Sequence, residues 1–409
     1  MNKGKRVRHG ESDREEKKKT SRHGESGRED KMKTRRRKDD DKEERSDYKV
    51  NKNFSLSSCS FRIRSPPNTN ELKNNLLLRF NSDCCSNNIY WYHINTAGNN
   101  NNNRNITTTS TEHFTNIRPI CTIRSSSGIG KSCASALLGS KVYMFGGNPH
   151  IPGDLRLRGC SDVFSVDFYH LNTTKQVTWR KENFCMLSRR CAPVAAATHG
   201  KIFVFGSNNS QTLPKPWAEV FDPNLNMFSP LPEPPLYVSQ CYGYMDINVM
   251  ENGDTILLCM DNGLFSFNVI TKSWGQLSTT PFFIKGYCWS FRSATLDDVF
   301  FTYCDGCVRA YDLIREKWFK KPILDLGIMT NVPPIYLIYG HVIHIGNKTL
   351  SVVWVNEFHR HSKRSVGCLN FQVVKECNSK GKIFLRAQLH SRSDYYIPTG
   401  YYFGDCLPL

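Results

Sequence analysis

The sequence predicts an all-β ring of repeated four-stranded sheets, on three observations. From Cys133 onward, apolar runs of four to six residues alternate with Gly, Asn, Asp and Pro, and helical periodicity is almost absent. Large aromatics, Trp179, Phe228, Trp274 and Trp318, recur at intervals of 49, 46 and 44 residues. A steady period of that size is the length of one propeller blade. Each interval also repeats an internal order: an apolar strand, a turn or loop, an aromatic strand ending in Asp or Asn, a turn, and the large aromatic.

Residues 1–50 come first and cannot supply a core. They hold 19 basic and 13 acidic side chains out of 55 and 37 in the whole chain, so the net charge of +18 belongs mostly to the body. Almost no large apolar side chain is present, and such composition does not offset the entropy of ordering. A 14-residue duplication runs through it: Arg8-His9-Gly10-Glu11-Ser12 returns as Arg22-His23-Gly24-Glu25-Ser26. The segment reads as a disordered charged arm. Its cation cluster, Lys31 to Lys38, has the composition of a nuclear-import or nucleic-acid patch, though Asp39 to Asp41 follow at once. No apolar leader opens the chain and no run is long enough to span a bilayer, so a cytoplasmic or nuclear location with reduced thiols is expected.

Residues 51–116 read as a poorly ordered linker. Within it, Glu71–Phe80 suggests a short helix, and Ile89–Ile94 is aromatic and β-branched like a strand. An Asn run at Asn99–Asn103 separates it from the ring proper, which is expected to span 117–409.

The blades follow in order. The first runs from Lys141–Gly147 through Asp162–Asp167 to Trp179. The second runs from Lys201–Gly206 through Ala218–Asp222 to Phe228. The third runs from Thr255–Cys259 through Gly263–Asn268 to Trp274. The fourth runs from Val299–Tyr303 through Val308–Asp312 to Trp318. A fifth uses His341–Gly346 and Leu350–Val355, with Gly367–Val374 as its outer strand, and a last one is expected to begin at Lys382–Gln388. The C-terminus leaves that last unit short, so Ile89–Ile94 or, alternatively, Ile117–Ile123 is expected to return and close the ring, because closure removes exposed sheet edges. Six blades fit best and five are the second choice.

Gly146-Gly147, the Asp222-Pro223 and Asp312 turns, and the aromatics Trp179, Trp274 and Trp318 resemble the kelch repeat. Glycine there permits positive φ and close backbone approach, and Asp caps a turn through its side chain. The layout is similar to the plant F-box/kelch-repeat family, with the F-box absent or reduced to a remnant around Leu72, Leu76, Leu77 and Leu78. That resemblance implies a non-enzymatic propeller that holds a protein target, in assemblies related to ubiquitin ligases.

Candidate sites fall on loops. The connections between second and third strands are long in the first two blades, Asn148–Ser161 and Ser207–Trp217, and short in the next two. Binding residues concentrate on loops carried by a rigid frame. Arg156, Arg158, Lys215 and Trp217 are therefore candidate partner contacts, as are Arg360, Lys363 and Arg364 in the basic stretch of the fifth unit.

Other motifs read blandly. Ser125–Ser132 resembles a phosphate loop but lacks its first glycine and room for a helix. Cys304-Asp305-Gly306-Cys307 has no second pair to complete a zinc site, and Glu357, His359 and His361 run into cations. No cofactor, metal or catalytic set is expected. The alternatives are a nuclear nucleic-acid-associated protein using the basic arm, and a metal-dependent enzyme on a kelch ring of the galactose oxidase kind. Removal of residues 1–50 is expected to leave the melting temperature unchanged, as measured by circular dichroism; a large drop would refute the arm's independence.

Overall fold

A computed structural model describes residues 75–82, 88–96, 115–123, 130, 132–148, 159–168, 179–206, 214–239, 245–260, 262–278, 291–304, 306–326, 340–356, 363–379, 381–398 and 401–409. All of them lie in one unit, residues 64–409. The arm at 1–50 is outside the described residues.

Strands β1 (Asn75–Ser82), β2 (Ile89–Asn95), β3 (Thr115–Asn116) and β4 (Cys121–Ile123) precede the repeats. Blade 1 is β5 (Ala134–Leu138), β6 (Lys141–Phe145), β7 (Cys160–Asp167) and β8 (Arg180–Arg190). Blade 2 is β9 (Val194–Thr198), β10 (Lys201–Phe205), β11 (Ala218–Asp222) and β12 (Met227–Pro230). After a short helix, α1 (Leu236–Ser239), blade 3 is β13 (Met245–Val249), β14 (Thr255–Met260), β15 (Gly263–Asn268) and β16 (Ser273–Ser278). Strand β17 (Phe291–Arg292) adds to β13 in parallel. Blade 4 is β18 (Ala294–Leu296), β19 (Val299–Cys304), β20 (Cys307–Asp312) and β21 (Lys317–Trp318). Blade 5 is β22 (Gly340–His344), β23 (Leu350–Asn356), β24 (Lys363–Cys377) and β25 (Ile383–Pro398), with β3 on its outer edge. Blade 6 is β26 (Tyr401–Pro408) followed outward by β1, β2 and β4.

These are the six blades of a β-propeller. The inner strands β5, β9, β13, β18, β22 and β26 neighbour one another in that order, and β26 neighbours β5 again. Six apolar clusters fill the six gaps between consecutive blades. No helix among the described residues is long and apolar enough to cross a membrane, and no disulfide links the described cysteines.

The repeat has a physical basis in two features. In blades 2, 3 and 4 the turn after the third strand is capped by that strand's last residue: Asp222 Oδ1 accepts from the Asn224 amide at 3.0 Å, Asn268 Oδ1 from Ile270 at 3.0 Å, and Asp312 Oδ1 from Arg315 at 2.9 Å. Four residues after each capping residue, Asn226, Lys272 and Glu316 adopt φ of 49°, 54° and 50° to finish the same turn. The following aromatic then faces the third strand's aromatic across the ladder, with ring centroids 5.0 Å apart for Phe221–Phe228, 4.9 Å for Phe267–Trp274 and 5.0 Å for Tyr311–Trp318. Each also reaches the preceding blade. Phe228 meets Phe145, Trp274 meets Phe205 and Trp217, and Trp318 packs against the cluster that includes Leu257 and Cys259 of blade 3. Trp179 stands just before β8 and stacks on Trp91 of blade 6 at 5.6 Å. The double glycine earns its place: Gly146 and Gly147 have φ of 64° and 97°, and a Cβ on Gly146 would sit 2.8 Å from the Arg190 carbonyl.

Three expectations are corrected. Residues 75–82 form a strand, not part of a helix. Leu76, Leu78 and Phe80 face blade 5 while Leu77 faces blade 1, so the apolar run is buried on both faces of a central strand. The F-box remnant is thereby spent: Leu76, Leu77 and Leu78 are 0 % exposed inside blade 6, and Leu72 is outside the described residues. Residues 383–388 belong to the fourth strand of blade 5 and do not open a last blade, which is led instead by Tyr401–Pro408. Both proposed closing segments enter blade 6, Ile89–Asn95 as β2 and Cys121–Ile123 as β4, so the ring draws strands from before residue 117.

Trp217 is 2 % exposed, whereas Trp274 is only partly buried and donates from Nε1 to the Pro232 carbonyl at 3.0 Å. Trp217→Ala is expected to cost about 3–5 kcal/mol and Trp274→Ala less, read by urea unfolding; the reverse order would contradict this packing.

Candidate functional site

Three places in the ring could act on a partner or ligand. The first is the axis, where the inner strands converge. Arg292, on β17 just before blade 4, holds Asp405 of β26 through Nε at 2.6 Å and Nη2 at 3.1 Å. Its Nη2 also donates to the Ser135 carbonyl of blade 1, and Nη1 to the Ala195 carbonyl of blade 2 at 3.4 Å. Its amide donates to His341 Nδ1 of blade 5 at 2.8 Å. Arg79 of β1, 1 % exposed, donates to Ser135 Oγ at 3.0 Å and the Gly404 carbonyl at 2.9 Å, and Ser135 Oγ donates to Asp405.

One guanidinium therefore ties together inner strands from around the ring. Burial alone would raise the Asp405 carboxyl, but Arg292 and Arg79 outweigh it and hold the group well below the usual carboxylate range. Burial pushes the His341 imidazole down to about 3, consistent with the neutral ring that accepts the Arg292 amide. The recess left beside Arg292 and Asp405 is about 10 Å³, the lower limit for one water.

Asp246 of β13 is 0 % exposed and accepts from Thr302 Oγ1 of blade 4 at 3.0 Å. Burial raises its carboxyl to about 7. Among the described residues, no group of three or more His, Cys, Asp or Glu is placed to hold a metal.

The second place is the face with the long loops. Arg190 at the end of β8 and Glu219 of β11 form an ion pair at 2.7 Å with both side chains 0 % exposed. Arg190 also donates to the carbonyls of Gly206 at 2.8 Å, Trp217 at 2.7 Å and Pro216 at 2.8 Å. Its own carbonyl accepts from Gly147 at 2.9 Å. This residue pins the ends of both long loops. Breaking such a buried pair from one side costs about 3–5 kcal/mol.

Of the sequence candidates on this face, Lys215 is exposed, while its carbonyl accepts from Ser188 Oγ. Trp217 is corrected from a surface contact to a core residue, because its ring is enclosed by Phe205 and Trp274. Arg156, Arg158 and Arg360 are outside the described residues, as are Glu357, His359 and His361. Lys363 and Arg364 lie on β24, and their side chains are not described. The phosphate-loop-like residues lead directly into strand β5, not a helix.

The third place is the opposite face, where third and fourth strands turn. Blade 5 carries a long hairpin there: β24 and β25 pair from Lys363–Pro398 to Cys377–Ile383, whereas β23 pairs with β24 only as far as Phe371. The hairpin end thus projects past its own blade and lies beside the β20–β21 turn of blade 4. Leu324 bridges the two by exchanging backbone bonds with Leu385 and Ala387 at 3.1 and 2.9 Å. Between them open two adjoining recesses of about 270 and 360 Å³. Leu324 and Phe384 line the smaller one, and Phe319, Lys320, Lys382 and Ile383 are common to both. No spacing rule in the sequence brings these two turns together.

No protein-family model and no curated protein matches the chain. Among solved structures it is similar to the structure of YjhT, over 76% of this chain and 97% of that one, at 13% identity and a TM-score of 0.46.

Asp246 supplies a pH test. Its folded carboxyl titrates near 7 and an unfolded one at about 3.9. Between those values the folded chain holds a proton that the unfolded chain releases, so stability falls as pH rises through this window. Asp246→Asn lacks that penalty. The melting temperature of the native chain minus that of the variant is expected to fall from pH 5 to pH 8, by the equivalent of about 2–4 kcal/mol. A pH-independent difference would rule this out.

Proposed function

We propose that the ring is a non-enzymatic protein-interaction module. The observation that supports it most is the contrast between the small recess at the inner strands and the open groove between blades 4 and 5. The recess beside Arg292 and Asp405 at the inner strands offers about 10 Å³, while the groove between blades 4 and 5 offers recesses of about 270 and 360 Å³ open to the surface. Small-molecule sites are enclosed and hold most of their ligand. A partner engaging this molecule meets rigid turns and loops on its surface instead.

A kelch-type ring serving as a substrate adaptor in ubiquitin-ligase-related assemblies is the finer form of this reading. The glycine pair at Gly146-Gly147, the capped turns and the inter-blade aromatics favour it. It needs a ligase-docking segment other than Asn75–Ser82, whose leucines are enclosed in blade 6. Nucleic-acid binding is the competing reading, favoured by the exposed lysines of the groove.

Affinity purification of the intact chain, with and without nuclease, distinguishes the two. A protein partner that survives nuclease, and that binds again when both components are purified, is the expected result. Recovery of nucleic acid alone, or of no partner, would overturn the proposal.

A further inference from the structure

We infer that the groove between blades 4 and 5 docks a short acidic protein segment carrying apolar side chains. The inference rests on the protein-interaction reading and names the chemistry of its partner.

Charge is the first support. Six cations line the two recesses, and local acids neutralise two of them. Arg315 pairs with Asp312 at 2.8 Å, and Arg386 pairs with Asp325 at 3.1 Å and Glu376 at 3.2 Å. Lys317, Lys320, Lys321 and Lys382 are exposed and make no ion pair among the described residues. Four like charges around one groove repel each other, and an anionic occupant relieves that repulsion.

Shape and floor are the second support. Phe319, Leu324 and Phe384 are half-buried beneath the lysines, and Ile383 stays 40% exposed at the rim. Ile314, next to Arg315 on the adjoining turn, is 72% exposed. Isolated exposed apolar residues are ordinary on a surface; here they stand beside unneutralised cations. Recesses of about 270 and 360 Å³ take a few side chains, not a folded domain.

A protein segment suits this floor better than nucleic acid. Single strands are held by stacking on open aromatic faces. Here Trp318 is occupied edge-on by Tyr311 at 5.0 Å and Phe300 at 6.4 Å, and Phe319 packs into the core between blades 4 and 5. Aliphatic side chains on an acidic peptide match what is left.

The test uses the full chain and fluorescence anisotropy. The probe is a labelled 12-residue peptide alternating Asp or Glu with Leu. Two further probes are the same peptide with Asn and Gln for the acids, and a 12-nucleotide single-stranded RNA. The variant K320E/K382E reverses two charges in the groove. R118E/R180E is its charge-matched control, since both arginines are exposed and lie away from the groove lining. Melting curves check that both variants fold.

The acidic peptide is expected to bind the native chain, and K320E/K382E to weaken it by about tenfold or more, with the control within about twofold. Weak binding of the Asn/Gln peptide is also expected. Equal loss in the control would reduce the effect to net charge and overturn the inference. Equal binding of the uncharged peptide would do the same, as would tighter binding of RNA with the same dependence on Lys320 and Lys382. If a nuclease-resistant protein partner still binds K320E/K382E at full affinity, the groove inference fails while the interaction reading stands.

Discussion

Ring closure is the constraint on which the rest of this molecule depends. The inner strand of blade 6 comes from the C-terminal end of the chain and its three outer strands come from before the first repeat. Pairing Leu78 with Cys406 and Leu76 with Pro408 joins segments more than 300 residues apart. That pairing also carries Asp405 to the axis, where Arg292 meets it, and places Arg79 beside both Ser135 and Gly404. Backbone closure and the central ion network are thus one event seen at two levels. An unpaired blade edge would expose a ladder of backbone groups, and an unpaired Asp405 would leave a buried charge without its partner.

The same closure decides where this ring can act. The Arg292 guanidinium is hydrogen-bonded to strands of blades 1, 2 and 6 and so ties their inner ends together. Arg190 does similar work at the junction of blades 1 and 2, where its bonds hold both ends of the second blade's long loop. Among the described residues, an open groove lies where two blades of unequal length meet. Blade 5 has strands of 15 and 16 residues beside a blade 4 whose outer strand has two. That mismatch creates the groove.

Much of the architecture is legible in the order of residues, and the exceptions have physical causes. The capped turns at Asp222, Asn268 and Asp312 and the aromatics after them depend on local chemistry, so their spacing announces the blades. Asn75–Ser82 misleads because a strand enclosed on both faces loses its alternation, and a continuous apolar run then reads as readily as a helix. Trp217 misleads because a large aromatic at a loop end is written the same way whether it faces solvent or a neighbouring blade. Arg292 and Asp405 carry one weak signal, a lone charge within an otherwise apolar strand-like stretch.

The amino-acid sequence alone determined the all-β class, the blade period and the turn chemistry. Each of these is set within a few dozen residues by propensity, capping and alternation. Tertiary structure alone decided the partner of the last strand, the burial of Arg79 and Arg190, the pairing of Arg292 with Asp405, and the meeting of two turns around four lysines. Those outcomes depend on which distant strands become neighbours when the ring shuts, and no local pattern encodes a neighbour hundreds of residues away.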